Sequence, residues 1–246
     1  MFDINSVNYQ IKKNKILNKI IFFKKIDSTN NFLKSNDFPT GTIVLSETQT
    51  SGKGKYGKKW ISPKGGLWFS CVINKRSKRP YFYVILSSLA IVDTLKNYAI
   101  DAKIKWPNDI LIKHKKVSGI LVENDYYKGK IIIGVGINVN NKVPKNTDIK
   151  ATSLKIEKKQ KIDIREFFLK VIKKLDFYLF NLKNKKNLIL KKWIKNQVDL
   201  KNMKIKIFKN KILKTYEFLK LNKNGNVKVR DEKGIIKTIK SDIFFM

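Results

Sequence analysis

The chain is poor in the residues that usually carry nucleophilic or metal chemistry. Its 246 residues include one cysteine, Cys71, and one histidine, His114. No disulfide can form within it, and a structural zinc site of the Cys/His kind is excluded. A Ser-His-Asp or Cys-His mechanism would rest on His114 alone. That residue sits in the lysine-flanked run LIKHKKV, which reads as a solvated turn. Acidic residues are also scarce: 19 Asp and Glu stand against 54 Lys and Arg, a formal net charge of +35, and only four of the basic residues are arginine. No uncharged apolar run approaches the ~18 residues a membrane-spanning helix needs. The first residues, MFDINSVNYQIKKNKILNK, lack the continuous apolar core of a secretory signal. The expected location is the cytoplasm.

What is present is a chain able to build a core, with 42% hydrophobic residues distributed along it. The positive excess suggests a polyanionic partner, but no dedicated patch. Lys and Arg number 7 in the first fifty residues and rise only to 14 in the fourth fifty. Surface scaling spreads the net charge at about 18 Å spacing, beyond the Debye length of about 8 Å at physiological salt. Specific DNA binding is not expected.

Periodicity places the elements. Residues 1–19 are polar and read as an N-terminal extension. Ile20 to Phe23 reads as a strand, and Asp27-Ser28-Thr29-Asn30 opens a short helix with Ser28 or Asp27 as its cap. Thr42 to Leu45 and Leu67 to Ile73 are β-rich, with a Gly/Lys loop between them. Tyr81 to Tyr98 has helical spacing. Four short strands are expected over Ile104–Trp106, Ile110–Ile112, Val117–Glu123 and Lys130–Ile133. Gly134-Val135-Gly136 follows the last, where a bulge is the plain reading. Asp163 caps an amphipathic helix to Phe180, and Leu188 to Ile194 suggests another. After residue 199 short β segments alternate with turns such as Asn224-Gly225 and Lys233-Gly234, which suggests a small barrel. The expected division is an extension over 1–19, an α/β domain over 20–198 and a compact β domain over 199–246.

The loop Gly52-Lys53-Gly54-Lys55-Tyr56-Gly57 matches G-x-G-x-x-G, the dinucleotide fingerprint. That reading needs a helix directly after the glycines and an acid about 20 residues on. Pro63 and Gly65-Gly66 follow instead, and Asp93 is the one acid between 51 and 100. A kinase reading fails for want of H-R-D and D-F-G elements. The loop is left as glycines that let backbone N–H groups approach an anion, with Lys53, Lys55, Lys58 and Lys59 adding charge and Trp60 a flat face. A lysine-rich hairpin with no ligand is the plain alternative. Three further segments have plain readings singly: Lys105-Trp106-Pro107-Asn108-Asp109, Lys116 to Glu123, and Gly134 to Asn140.

Together, in this order and spacing, these segments resemble the biotin–protein ligase family. The D-S-T-N segment is Asp27 to Asn30. Gln49 and GKGKYGKKW stand for a Gln followed by G-R-G-R-x-G-R-x-W. K-W-P-N-D is Lys105 to Asp109, K-x-x-G-I-L-x-E is Lys116 to Glu123, and G-x-G-I-N-V is Gly134 to Val139. The resemblance implies a mixed β-sheet with flanking helices like a class II aminoacyl-tRNA synthetase core, followed by an SH3-like barrel. It implies that biotin is activated by ATP and Mg2+ to biotinyl-5′-AMP and passed to a lysine of the biotin carboxyl carrier protein of acetyl-CoA carboxylase, by a monomer or homodimer. By the same resemblance, Ser28, Thr29, Asn30 and Gln49 line the biotin pocket. Gly52, Lys53, Gly54, Lys55 and Lys58 belong to a loop closing over the adenylate, and Trp60 packs with adenine. Lys116 contacts the biotin carboxylate and α-phosphate and is the foremost catalytic candidate, with Lys55 and Asp109 beside it; Asp109 would orient the carrier lysine. Asn108 and Asn138 are polar contacts on the adenylate and magnesium side, and Gly119, Gly134 and Gly136 admit ligand against the backbone. No protein metal ligands are expected.

Two departures stand out. Lysines replace the three loop arginines, so the bidentate fork is lost while the charge stays. Only 19 residues precede the first strand, too few for the winged-helix repressor domain of some members. A lipoate–protein ligase and a basic nucleic-acid-binding protein are the alternatives, and neither accounts for five ordered motifs.

Overall fold

The computed structural model describes residues 3–74, 79–143, 150–209, 212–222 and 225–240. Its frame is a seven-stranded mixed sheet: β1 (Lys19–Ile26), β2 (Thr42–Gln49), β3 (Leu67–Asn74), β4 (Lys103–Lys105), β5 (Asp109–Ile112), β6 (Lys115–Asp125) and β7 (Lys130–Ile137). The spatial order is β1-β2-β3-β7-β6-β5-β4. Only β1 and β2 pair in parallel. The crossover between them contains the helix α2 (Thr29–Ser35), capped by Ser28, whose Oγ accepts the Asn31 N–H at 3.4 Å.

One face of the sheet is covered by α3 (Tyr81–Lys96) and α5 (Ile164–Lys195). Nearly all of α3 is buried, because it lies between the sheet and α5. Its Ser87, Ser88 and Thr94 hydroxyls turn back onto carbonyls within the helix and so need no outside partner. The two helices expected over 163–194 are one element interrupted at Lys185, where φ is −119° and ψ 21°. Asp163 is its cap, as expected. A short helix that the periodicity did not suggest, α4 (Leu154–Lys158), precedes it.

The polar N-terminal segment is not a plain extension. It forms α1 (Ile4–Ile11), and Val7, Ile11 and Leu17 join the main core. Asp176 of α5 accepts the N–H groups of Lys15, Ile16 and Leu17 at 3.0, 2.7 and 2.8 Å. A buried carboxylate satisfying three consecutive donors ties the segment down, and the lysine and asparagine content had hidden that.

β8 (Lys204–Lys209), β9 (Ile212–Leu221), β10 (Val227–Arg230) and β11 (Ile236–Ile239) form a four-stranded antiparallel sheet in the order β11-β10-β9-β8. Gly225 lies over Tyr81 and Ile85 of α3. Asn224 of the expected Asn224-Gly225 turn lies outside the described residues.

The other face of the main sheet positions the site. The register of β3, β7 and β6 defines three rows across it: Val72–Ile132–Glu123, Ser70–Gly134–Leu121, and Trp68–Gly136–Gly119. The first row meets α2, where Leu33, Val44, Val72 and Ile132 form a second, small core. The next two rows hold the glycines. No bulge occurs there: β7 runs unbroken through Gly134 and Gly136 and pairs in regular register with both neighbours.

Candidate active site

A cavity of about 740 Å³ opens over those glycine rows. Every candidate site residue from the sequence except Gly52 lines it. Gly52 lies just behind, buried, its carbonyl accepting the Trp60 N–H at 2.8 Å.

The N-terminus of α2 enters the cavity with Ser28, Thr29 and Asn30 almost wholly buried. These side chains belong to a continuous hydrogen-bond chain. Asn30 Nδ2 donates to Glu123 Oε2 at 2.8 Å, and Ser70 Oγ donates to Asn30 Oδ1 at 2.5 Å. Thr29 Oγ1 lies 2.6 Å from Ser70 Oγ and 3.1 Å from Gln49 Oε1. Gln49 Oε1 also accepts the Thr29 N–H at 2.9 Å, while Gln49 Nε2 donates to Ser62 Oγ at 2.8 Å. Ser62 Oγ ends the chain on the Trp60 carbonyl at 3.1 Å. Each group keeps unspent donors or acceptors toward the cavity.

The glycines are filled by the protein itself. A Cβ on Gly134 would stand 2.1 Å from Asn30 Oδ1, so that glycine seats the Asn30 carboxamide. Gly136 and Gly119 are register partners and together seat the Trp60 indole, at 2.4 and 2.8 Å from their would-be Cβ atoms. The close approach expected of a ligand at these positions is made by side chains that themselves face the cavity. Trp60 packs edge-on against Trp68, with centroids 6.4 Å apart. Its indole N–H is buried with no acceptor among the described residues, an unspent donor at the centre of the site.

Lys116 lies at the other side of Trp60, its ammonium 5.0 Å from the ring centroid and 2.7 Å from Asp109 Oδ1. The Lys116 backbone is held by Lys150 and Thr152, so strand pairing fixes the start of its side chain. The Lys55 amine is buried close by. Burial is the main cause bringing its pKa down to about 7; Asp109 opposes this and Lys116 adds to it. The glycine loop is a narrow hairpin, with Lys53 opposite Lys59 and the Gly54 N–H donating to the Lys58 carbonyl at 2.6 Å. Among the described residues, seven lysines line the cavity (53, 55, 58, 59, 105, 116 and 204) against one carboxylate, Asp109. Such an imbalance suits an anionic ligand.

A solved relative decides the family. The chain superposes with a TM-score of 0.79 on the biotin protein ligase from Aquifex aeolicus in complex with biotin and ATP, at 32% identity over 90% of this chain and 95% of that one. The chain belongs to the biotin protein ligase family. The pattern of the broader Biotin/lipoate A/B protein ligase family matches residues 22–140. The chain is also 34% identical over 173 residues to the Bifunctional ligase/repressor BirA of Bacillus subtilis, covering 65% of this chain and 53% of that protein. Against Biotin--protein ligase 1, chloroplastic, of Arabidopsis thaliana it is 32% identical over 160 residues, or 58% and 43% of the two. It spans about half the length of the curated relatives it matches.

Within this biotin protein ligase fold, two expected contacts are already engaged. Asn108 Nδ2 donates to the Ile120 carbonyl at 2.8 Å and Asn108 O accepts the Ile120 N–H at 3.0 Å, clasping the K-W-P-N-D turn to β6. Asn138 Oδ1 accepts from Asn141 at 3.0 Å. Both still line the cavity, with their remaining polar capacity. Ser62, Ser70, Lys204 and Ile205 were not foreseen. Ser70 sits in LWFSCVIN, a strand buried on both faces whose pattern does not tell one face from the other. Lys204 and Ile205 come from β8, which only tertiary packing brings to the cavity. Glu123 had a signal, as the acid ending an apolar strand. The two residues with nucleophilic potential stay away: Cys71 is buried in the core, its thiol pushed up to about 12 by burial, and His114 is exposed.

Proposed function

We propose that this chain condenses biotin with ATP to biotinyl-5′-AMP and then passes the biotinyl group to a lysine of a biotin carboxyl carrier protein. The carrying observation is the make-up of one cavity: a polar chain at Asn30, Thr29 and Gln49, an indole in the middle, and lysines around Lys116 and Lys55. A ureido head needs both donors and acceptors, which that chain presents. A dithiolane head, as in lipoate, would leave the same buried groups unpaired.

In the first step a carboxylate oxygen of biotin bonds to the α-phosphorus while the bond to the bridging oxygen breaks, and pyrophosphate leaves with the electron pair. No protein nucleophile is required. Negative charge grows on phosphate oxygens, so preplaced cations lower the barrier. Lys116 is assigned this role: it is held by strand pairing and by Asp109, and it points into the same space as Lys55. In the second step a neutral lysine amine attacks the acyl carbon, AMP departs and one proton is released. Asp109 is the one carboxylate lining the cavity among the described residues and is assigned to orient that amine. Lys53, Gly54 and Lys58 are assigned to retain the adenylate.

Magnesium fits as a companion of the nucleotide phosphates rather than as a protein-bound ion. Among the described residues no three His, Cys, Asp or Glu side chains gather, and Asp109 is engaged by Lys116. Among those residues no helix is long and apolar enough to cross a membrane. We place the activity in the cytoplasm, with residues 3–198, the α1 segment included, as the catalytic unit and the segment from 199 on as a β unit that lends Lys204 to the cavity, in a monomer or homodimer.

The test is incubation with ATP, Mg2+, biotin and a carrier domain, read by mass. A gain of one biotinyl group on the carrier is expected. No gain with biotin, or a gain with lipoate instead, overturns the reading.

A further inference from the structure

We propose that Glu123, which does not line the cavity, is a positioning residue that sets the donor and acceptor order of Asn30 and Thr29. It thereby decides that the cavity receives its ligand's N–H groups at Thr29. The inference rests on the biotin reading above and adds a residue that sets its specificity.

An ionised carboxylate only accepts hydrogen bonds. Glu123 Oε2 therefore compels Asn30 to turn its Nδ2 outward, at 2.8 Å, and to leave Oδ1 toward Ser70. Ser70 Oγ, 2.5 Å from that oxygen, must donate to it. A serine has one hydroxyl proton, so the 2.6 Å contact between Ser70 and Thr29 takes the Thr29 proton, and Gln49 Oε1, 3.1 Å from Thr29 Oγ1, is then served by the Thr29 N–H at 2.9 Å instead. Thr29 then faces the cavity with lone pairs alone and accepts from a ligand N–H. The carboxamide of Asn30 has nearly the same shape either way round, so nothing steric fixes its orientation. The charge at position 123 does.

The fold explains how a carboxylate comes to be there. Glu123 lies two residues beyond the cavity-lining Leu121 on the same face of β6, in the row it shares with Val72 and Ile132. That row is otherwise apolar and packs under α2. Glu123 reaches across β7, where Gly134 has no side chain to block Asn30. Lys34 of α2 donates to the other carboxylate oxygen at 3.1 Å. With glutamine at 123 either end of its amide can face Asn30. Asn30 can then turn over, Ser70 can donate to Thr29 instead, and the Thr29 proton is released toward Gln49 Oε1 or the ligand, so both orders become accessible.

The test is biotin-dependent ATP–pyrophosphate exchange by wild type, Glu123→Gln, Ser70→Ala and the double variant. The KM for biotin in Glu123→Gln is expected to rise about tenfold, the scale of one hydrogen bond. The KM for ATP and kcat should stay within about twofold, because Lys116 is held by Asp109 and by the backbone of Lys150 and Thr152, none of them in that chain. Ser70→Ala interrupts the same relay and should show the same split, with the double variant no worse than either alone. An unchanged biotin KM in Glu123→Gln overturns the inference, as do additive effects or a parallel rise in the KM for ATP. If Glu123→Gln does not fold, Ser70→Ala decides by the same criteria. Wild-type exchange that does not require biotin removes the ligase reading itself, and this inference with it. Normal wild-type exchange with an unaffected variant removes only the inference.

Discussion

Replacing Gly134 by alanine adds one methyl group at the point where the site is tightest. The new Cβ would lie 2.1 Å from Asn30 Oδ1, 2.9 Å from its Cγ and 3.0 Å from its Nδ2. The backbone has little room to recede, because β7 is paired in register with β3 on one side and β6 on the other. The Asn30 carboxamide must therefore leave. It gives up its bond to the Glu123 carboxylate, worth about 1.5–3 kcal/mol, and its bond from Ser70, worth about 0.5–1.5 kcal/mol. Alanine in a strand recovers about 0.5–1 kcal/mol of the conformational entropy that glycine loses. The expected loss of stability is about 2 kcal/mol, read as a lower urea midpoint. Biotin affinity should fall about tenfold, the scale of one hydrogen bond that the displaced Asn30 no longer offers or orients, read by calorimetry. Gly234→Ala is the control: φ there is +80° with nothing within 4 Å, so it should cost about 1 kcal/mol of backbone strain and leave biotin affinity unchanged. If Gly134→Ala matches wild type within about 0.5 kcal/mol in stability and twofold in affinity, Asn30 is not seated on that glycine and the reasoning fails.

Lys116→Ala should fold but lose about 10²–10³ in adenylate formation; pyrophosphate exchange near wild type would remove its catalytic assignment. The Lys55 pKa of about 7 makes the free amine mostly neutral at pH 8. A bound polyphosphate favours the charged form, so nucleotide binding at pH 8 should take up about 0.9 proton and weaken as pH rises from 7 to 9. Calorimetry in buffers of different ionisation enthalpy measures this, and Lys55→Arg, always charged, should abolish the uptake and slow adenylate release. In the free protein the unfolded chain holds the Lys55 proton more tightly, so this group makes stability rise with pH from about 7 toward 10.5. Urea midpoints across that range, flatter in Lys55→Met, check the sign. Asp176→Ala strands the N–H groups of Lys15, Ile16 and Leu17 and should cost about 3 kcal/mol; a midpoint unchanged from wild type would mean that water serves those donors equally well.

Much of the site was legible because its chemistry is local. Ser28 caps α2 in the segment that also holds Thr29 and Asn30, so one short motif brings all three to the cavity. The glycine loop closes on itself through Gly52, Gly54 and Lys58, and the K-W-P-N-D turn clasps β6 through Asn108. What the glycines are for was not legible. Sequence reading allows a ligand or a bulge at Gly134 and Gly136; the structure puts Asn30 on one and Trp60 on the other, from 104 and 76 residues away in the chain.

The fold divides in the same way. Period-3.6 and period-2 patterns found most helices and strands. They missed the burial of α1, because it depends on a carboxylate more than 150 residues away. By itself the sequence determined the reagents: an excess of cations, no usable thiol or imidazole, and the motifs that carry the family resemblance. Only the tertiary structure decided which of some fifty lysines face one cavity, and that Glu123, Ser70 and Gly134 meet around Asn30. The physical reason is that β3 and β7 are buried on both faces, so no alternation marks the side that binds. The register between strands, set by long-range pairing, assigns it.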